Sequence, residues 1–300
     1  MPKAEGGIPQ TWKDPLMFRT IGNTWQITKL SWKVLQLDRE LIFFPIMGAL
    51  GAVLVGAVAA GVFGATGTFD RLGGGDQAEF NVVDLIIALI AYFGGLYMVI
   101  FFNSALVAAA RERLEGGDPN VMSGIRAVRG MWLAILGWTI ITGTVGLILQ
   151  ALQSMARENS HGVMRIVAMI LIALLQTAWA YITFFVIPVL VVERVGPITA
   201  IRRSAGLLRN SWGEQLTAGF SFFLIYLLAL LIVAIPVVIL VFIAPVAAII
   251  VGVILGGIAI ASVAAMEGIF KAALYEWVSE GKGSEWFDQQ LLTNAYETRS

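Results

Sequence analysis

Six stretches of this chain are long and apolar enough to fix its class before anything else is weighed. They run Leu41–Gly64, Val83–Asn103, Met131–Leu152, Val163–Val192, Gln215–Val241 and Ala244–Ala265. Crossing about 30 Å of hydrocarbon takes roughly 20 helical residues, and each stretch supplies that length. The composition agrees: of 300 residues, 58% are hydrophobic and only 13% are charged, whereas a soluble domain carries about 25% charged residues. Mean hydropathy is +0.82. The expected fold class is all-α, a polytopic transmembrane helical bundle of six spans in three hairpins. Between the last two spans, "AIPVVILVFIAPVAAII" holds no polar loop, only Pro236 and Pro245. About 50 residues of unbroken helix would reach about 75 Å, so a tight turn is expected near Ile243–Pro245.

Basic residues orient the plan. The segment before the first span, the second and fourth connections and the tail together hold 17 of the 20 lysines and arginines. Only Arg71, Arg157 and Arg165 fall on the other side. Lysine and arginine are retained in the cytoplasm, so both termini are predicted cytoplasmic; an odd number of spans would scramble this segregation. The chain reads as one integral membrane domain over residues 1–300. It divides into a cytoplasmic N-terminal segment (1–40), a six-span core (41–265) and a cytoplasmic C-terminal helix and tail (266–300). The opening 40 residues hold no short apolar core followed by a cleavage site, so no cleavable signal peptide is expected.

Several chemistries drop out. There is no cysteine, which excludes disulfides, thiolate metal sites and cysteine catalysis. The single histidine, His161, falls in a predicted loop, and carboxylates do not cluster, so no metal or other cofactor is expected. Formal net charge is zero, and no nucleic-acid partner is expected.

A threefold internal pattern follows. In Pro197–Trp212, Ile198, Ile201, Ala205, Leu208 and Trp212 fall on one helical face, with Arg202, Arg203 and Arg209 off it. Gly196-Pro197 suits a helix start, because proline in the first helical position loses no needed N–H bond. After Asp118-Pro119, read as an N-cap followed by proline, Val121, Ile125, Val128 and Trp132 form a second stripe, with Arg126 and Arg129 off it. Before the first span, Ile27, Leu30, Val34, Leu37 and Leu41 form a third, with Lys29 and Lys33 off it, and Asn23 with Gln26 offers a capping start. The unit is therefore a basic amphipathic helix followed by a hairpin. "NSALVAAARERLEGG" from Asn103 and "EGIFKAALYEWVSEG" from Glu267 also align without gaps. The three amphipathic helices are expected at the cytoplasmic interface, apolar faces in the acyl boundary. Their basic residues set topology and are candidate contacts for anionic lipid head groups, each worth about 1 kcal/mol near a charged leaflet.

"ARERLEGGDP", "IPVLVVERVGP" and "AIRRSAGLLRNSWGE", on a six-span plan, resemble the uncharacterised DUF6159 family of bacterial and archaeal membrane proteins. The resemblance covers about Trp25 to Tyr296 and is most specific from Pro188 to Glu214. It implies an α-helical protein of the prokaryotic inner membrane. It carries no activity, so it transfers no catalytic residues. More distantly, basic helices alternating with hairpins are similar to the membrane domains attached to some glycerophosphodiester phosphodiesterases, but this chain has no soluble catalytic domain.

Inside the predicted spans no ionisable residue sits at a centre. Asp84 lies at the outer edge of the second span, where a carboxylate suits a helix start, and Glu267 at the inner edge of the sixth. Asn103, Gln176 and Thr177 are the candidate intramembrane polar lining; interhelical hydrogen bonding is the simpler use for them. Small-residue faces at Gly48, Ala52, Gly56, Ala60 and Gly64, and at Ala248, Gly252 and Gly256, let helices approach closely within one chain or between copies. "GGGD" at Gly73–Asp76 has no second intramembrane aspartate, and "MSG" at Met122–Gly124 lacks the glycine of a rhomboid-type serine site. No phosphate-binding loop appears. The tail keeps Trp286, Phe287, Leu291, Leu292 and Tyr296, which need cover from the protein or a partner. The expected function is that of a non-enzymatic membrane protein that organises or senses the cytoplasmic leaflet, with membrane lipids, anionic ones included, as its partners. The alternative is a transporter or scramblase for a lipid or apolar small molecule.

Overall fold

The computed structural model describes residues 31–72, 81–159, 162–209 and 215–280. Among them there is no strand. Residues 31–37 form α1, and a 3-10 turn, Arg39–Ile42, leads into α2 (Phe43–Ala65). Then come α3 (Thr68–Leu72), α4 (Val82–Leu114), α5 (Val121–Arg129), α6 (Trp132–Asn159), α7 (Gly162–Ile182), α8 (Val186–Glu193), α9 (Pro197–Arg209), α10 (Gln215–Ile243) and α11 (Pro245–Glu280). Six helical segments are long and apolar enough to cross a membrane: Arg39–Ala65, Val82–Leu114, Trp132–Glu158, Gly162–Glu193, Phe222–Ile243 and Pro245–Glu276. This is a multi-pass membrane protein. Helices suit that solvent because they satisfy every backbone polar group internally.

Three antiparallel hairpins make the bundle: α2 with α4, α6 with α7 and α10 with α11. A short helix at one end precedes each. That end, with α1, α5, α8 and α9, is called the basic end below. Helix α4 is central, packing on α2, α5, α6, α8 and α11. A Cβ on Gly48 would lie 3.3 Å from the Val99 backbone, and one on Gly95 3.7 Å from Ala52, so half of the first small-residue face is used within the chain. Farther along, Gly56 and Gly64 meet nothing within 4 Å. Gly252 faces Val237 across the α10–α11 hairpin, while Gly256 is open.

The core sits at the basic end. At 33 and 36 residues, α4 and α11 are about 50 and 54 Å long, far more than the hydrocarbon demands. Both therefore outrun the expected spans that stop at Asn103 and Ala265. Their last turns, Ala105–Leu114 and Ala265–Tyr275, carry much of the buried cluster, joined by Leu35, Phe44, Val128, Ile135, Phe185 and Leu190. The two stretches that align without gaps in the sequence are these helix ends, lying side by side with Leu106 against Gly268.

The turn expected near Ile243–Pro245 is there, with Ala244 between α10 and Pro245, the first residue of α11. The fourth span departs from expectation: Val163–Val192 is not one helix but α7 and α8 with a turn at residues 183–185. Pro188 is the cause, since it offers no N–H to the carbonyl of Phe184 and its ring clashes there. The break frees the Ile182 carbonyl and the Phe185 N–H. Ser204 of α9 takes both: its hydroxyl donates to Ile182 O at 2.6 Å and accepts from Phe185 N at 3.1 Å.

Candidate basic-end lipid site

The three basic helices are seated by their own sequences. Just past the end of α4, Gly116 is in the left-handed region at φ 86°, and the Gly116 and Gly117 N–H groups donate to the carbonyls of Arg113 and Glu112. Helix α5 starts two residues later than expected. Its N-cap is Asn120, paired with Ser123 in a capping box, because the Asp118 carboxylate is taken by Arg113 at 2.9 Å. Pro197 opens α9 as expected.

Helices α5 and α9 each pack one face on the protein, and only on α5 does it follow the apolar stripe. Val128 is fully buried, and Gly124 abuts Phe44 and the Ala105 carbonyl so closely that a Cβ would overlap both. On α9 the buried face is Ala200, Ser204 and Leu207, rotated from the apolar stripe, and Ile198 is 59% exposed. The stripe misleads because Ser204, a polar residue, faces inward to serve the helix break. On α1, Val34 and Leu35 are buried and Leu37 is exposed. Ile27, Leu30 and the Asn23–Gln26 cap lie outside the described residues, as do Trp212, His161, Gly73–Asp76 and the aromatic tail.

Ion pairs lock this end together. Arg113 donates to both carboxylate oxygens of buried Asp38, tying α4 to the segment before the first span. Glu40 accepts from the Val121 N–H at 3.2 Å, and Ser123 donates to Glu112 at 2.8 Å. Glu193 at the end of α8 accepts from Arg203 at 2.9 Å and from the Tyr275 hydroxyl at 2.8 Å, joining α8, α9 and α11. That hydrogen bond to Glu193, reinforced by its charge, holds the Arg203 guanidinium above its ordinary pKa. Glu267 pairs with Lys271 at 2.6 Å and accepts from Tyr226 at 3.2 Å, and the Lys271 ammonium lies 5.2 Å from the centre of the Phe184 ring.

Against this network the expected head-group contacts separate into classes. Lys33, Arg126, Arg129 and Arg202 are exposed, and among the described residues none makes an ion pair. Arg203 is already committed to Glu193. Lys29 and the side chain of Arg209 lie outside the described residues. The far end differs: Arg71 pairs with Asp84 at 2.7 Å, and Asp84, fully buried, also accepts from Thr68 and closes a capping box with Asn81. Asp84 is thus a helix-start residue with a fixed counter-charge.

The expected intramembrane lining is scattered. Asn103 on α4 faces Gly268 of α11. Gln176 and Thr177 are on α7, whose neighbours are α6 and α9; Thr177 is exposed and donates to the Ala173 carbonyl at 2.8 Å. Among the described residues no group of three or more His, Asp or Glu could hold a metal ion. Sequence reasoning missed Asp38, Glu193 and Ser204. For Glu193 and Ser204 the available signal was a carboxylate or hydroxyl within an otherwise apolar or basic helix; Asp38 lies between helices and gave none.

The model of a family of unknown function, DUF6159, matches residues 82–285 of the chain, from the start of α4 to just beyond α11. That is narrower at both ends than the resemblance read from the sequence. No curated protein matches the chain.

Proposed function

We propose, for a chain that belongs to the DUF6159 family of unknown function, that it is a non-enzymatic membrane protein whose basic end binds anionic head groups. In this reading it organises or senses the cytoplasmic leaflet of a prokaryotic inner membrane. One observation carries it: Lys33, Arg126, Arg129 and Arg202 stand exposed at one end with no ion pair among the described residues. Near an anionic leaflet each such cation contributes about 1 kcal/mol. The helices that bear them are pinned to the bundle core, so the cations face the leaflet from a fixed platform. The retention of positive residues inside supports a cytoplasmic basic end.

The test compares wild type with a fourfold variant, Lys33→Gln, Arg126→Gln, Arg129→Gln and Arg202→Gln, reconstituted with mixed phosphatidylglycerol and phosphatidylcholine. Spin-labelled lipid reports the composition of the first shell. Wild type is expected to enrich phosphatidylglycerol, and the variant to lose the enrichment. Equal shells in the two proteins contradict the proposal.

A further inference from the structure

A groove of about 520 Å³ runs between α10 and α11. It exists because three facing positions are small, Ala229, Ala259 and Ser262, where the rest of the lining is mostly leucine, isoleucine and valine. Met266 and Trp32 close it at the basic end. Apart from Trp32, the lining belongs to the candidate spans Phe222–Ile243 and Pro245–Glu276, so the medium that meets the groove is hydrocarbon. The one hydroxyl in it makes no demand, since Ser262 already donates to the Ile258 carbonyl at 2.8 Å. Beyond the Trp32 indole N–H and the Ser262 oxygen the lining is apolar, which suits an acyl chain better than a polar solute. From Ile225 to Val233 the groove follows eight helical steps, about 12 Å at 1.5 Å per residue, close to the depth of one leaflet of a bilayer with about 30 Å of hydrocarbon.

The rim supplies the second half of the match. Trp32 is 44% exposed, and a tryptophan between apolar and wet phases sits at head-group level. The next residue, Lys33, is exposed and makes no ion pair among the described residues. We infer that this groove holds one acyl chain of an anionic phospholipid whose head group meets Lys33. The inference rests on the proposed binding of the basic end to an anionic leaflet, and adds one lipid at one place.

The test uses the full chain in phosphatidylcholine vesicles containing a small fraction of phosphatidylglycerol with a photoactivatable group in its acyl chain. After irradiation, adducts are mapped on peptides. They are expected to concentrate in residues 225–233 and 259–266. Ala229→Leu with Ser262→Leu fills the groove and is expected to cut that yield to the level of the rest of the apolar surface. Ala234→Leu, on an exposed face of the same helix, is the control and is expected to leave it unchanged. Adducts spread evenly over the spans, or absent from the groove, overturn the inference. So does a yield that survives the filled groove. Lys33→Gln is expected to lower the yield with phosphatidylglycerol but not with a phosphatidylcholine probe, and equal yields overturn the head-group assignment. If the filled groove changes nothing while the fourfold glutamine variant loses its anionic shell, the groove alone fails. The reverse result removes the proposed function and leaves an apolar lipid site.

Discussion

Ser204 is fully buried and bonds two backbone groups that the α7–α8 break leaves free. Losing the hydroxyl strands the buried Phe185 N–H and deprives the part-buried Ile182 carbonyl of its donor, a loss of about 1–3 kcal/mol. Ser204→Ala is expected to lower the thermal unfolding temperature in detergent, and an unchanged midpoint contradicts the bonding described. Gly268 offers a second test. A Cβ there would lie 2.5 Å from Leu106 Cδ2, and Leu106 is itself buried. Gly268→Ala is expected to cost about 1–3 kcal/mol by overpacking, and Leu106→Ala in the same chain to recover part of it. Strictly additive losses would show that the two residues do not touch. Arg202 and Arg203 are adjacent in sequence but unlike in role. Arg202→Gln is expected to weaken enrichment of phosphatidylglycerol more than Arg203→Gln, because Glu193 already holds Arg203.

At the scale of elements, α9 is held by Ser204, by Arg203 on Glu193, and by Pro197 against Gly137 of α6. Glu193→Gln is expected to speed amide hydrogen exchange in α9 and leave α5 unchanged; equal protection in α9 would mean the ion pair does not hold it. Most elements were legible in the sequence because a membrane span declares itself by length and hydropathy. Even the α10–α11 turn was readable, since about 50 residues of unbroken helix would far outrun one crossing. The α7–α8 break was not. Pro188 sits in a run that is apolar on both sides, and a hydropathy window does not see backbone hydrogen bonds. The ends of α4 and α11 were underestimated because apolar runs stop at the first charges, whereas a helix continues while it can bury a face. The buried face of α9 was misplaced because apolar periodicity gives no weight to a serine that serves a neighbouring backbone. The candidate cations were legible as charges off the stripes. Which of them would be taken by a carboxylate was not, since Asp38 and Arg113 meet across 75 residues of sequence.

For the whole molecule, residue 31 and the end of α11 lie at the same end of the bundle, as six spans require, and Lys33, Arg126, Arg129 and Arg202 gather there, while Arg157 and Arg165 are exposed at the other end. The chain has no cysteine, so single-cysteine variants report orientation cleanly. In intact cells, a membrane-impermeant maleimide is expected to label Arg157→Cys and to spare Arg129→Cys until the cells are opened; the reverse pattern would invert the bundle. A folded core that extends past the hydrocarbon gives these cations fixed positions, and that links the architecture to the proposed binding of an anionic leaflet. The most direct test is native mass spectrometry of the protein extracted with its own lipids. The expected result is stoichiometric anionic phospholipid on wild type and its loss from the Lys33, Arg126, Arg129 and Arg202 glutamine variant. Identical anionic lipid on both proteins, or none on wild type, would contradict a head-group role for the basic end and leave its charges to set topology alone.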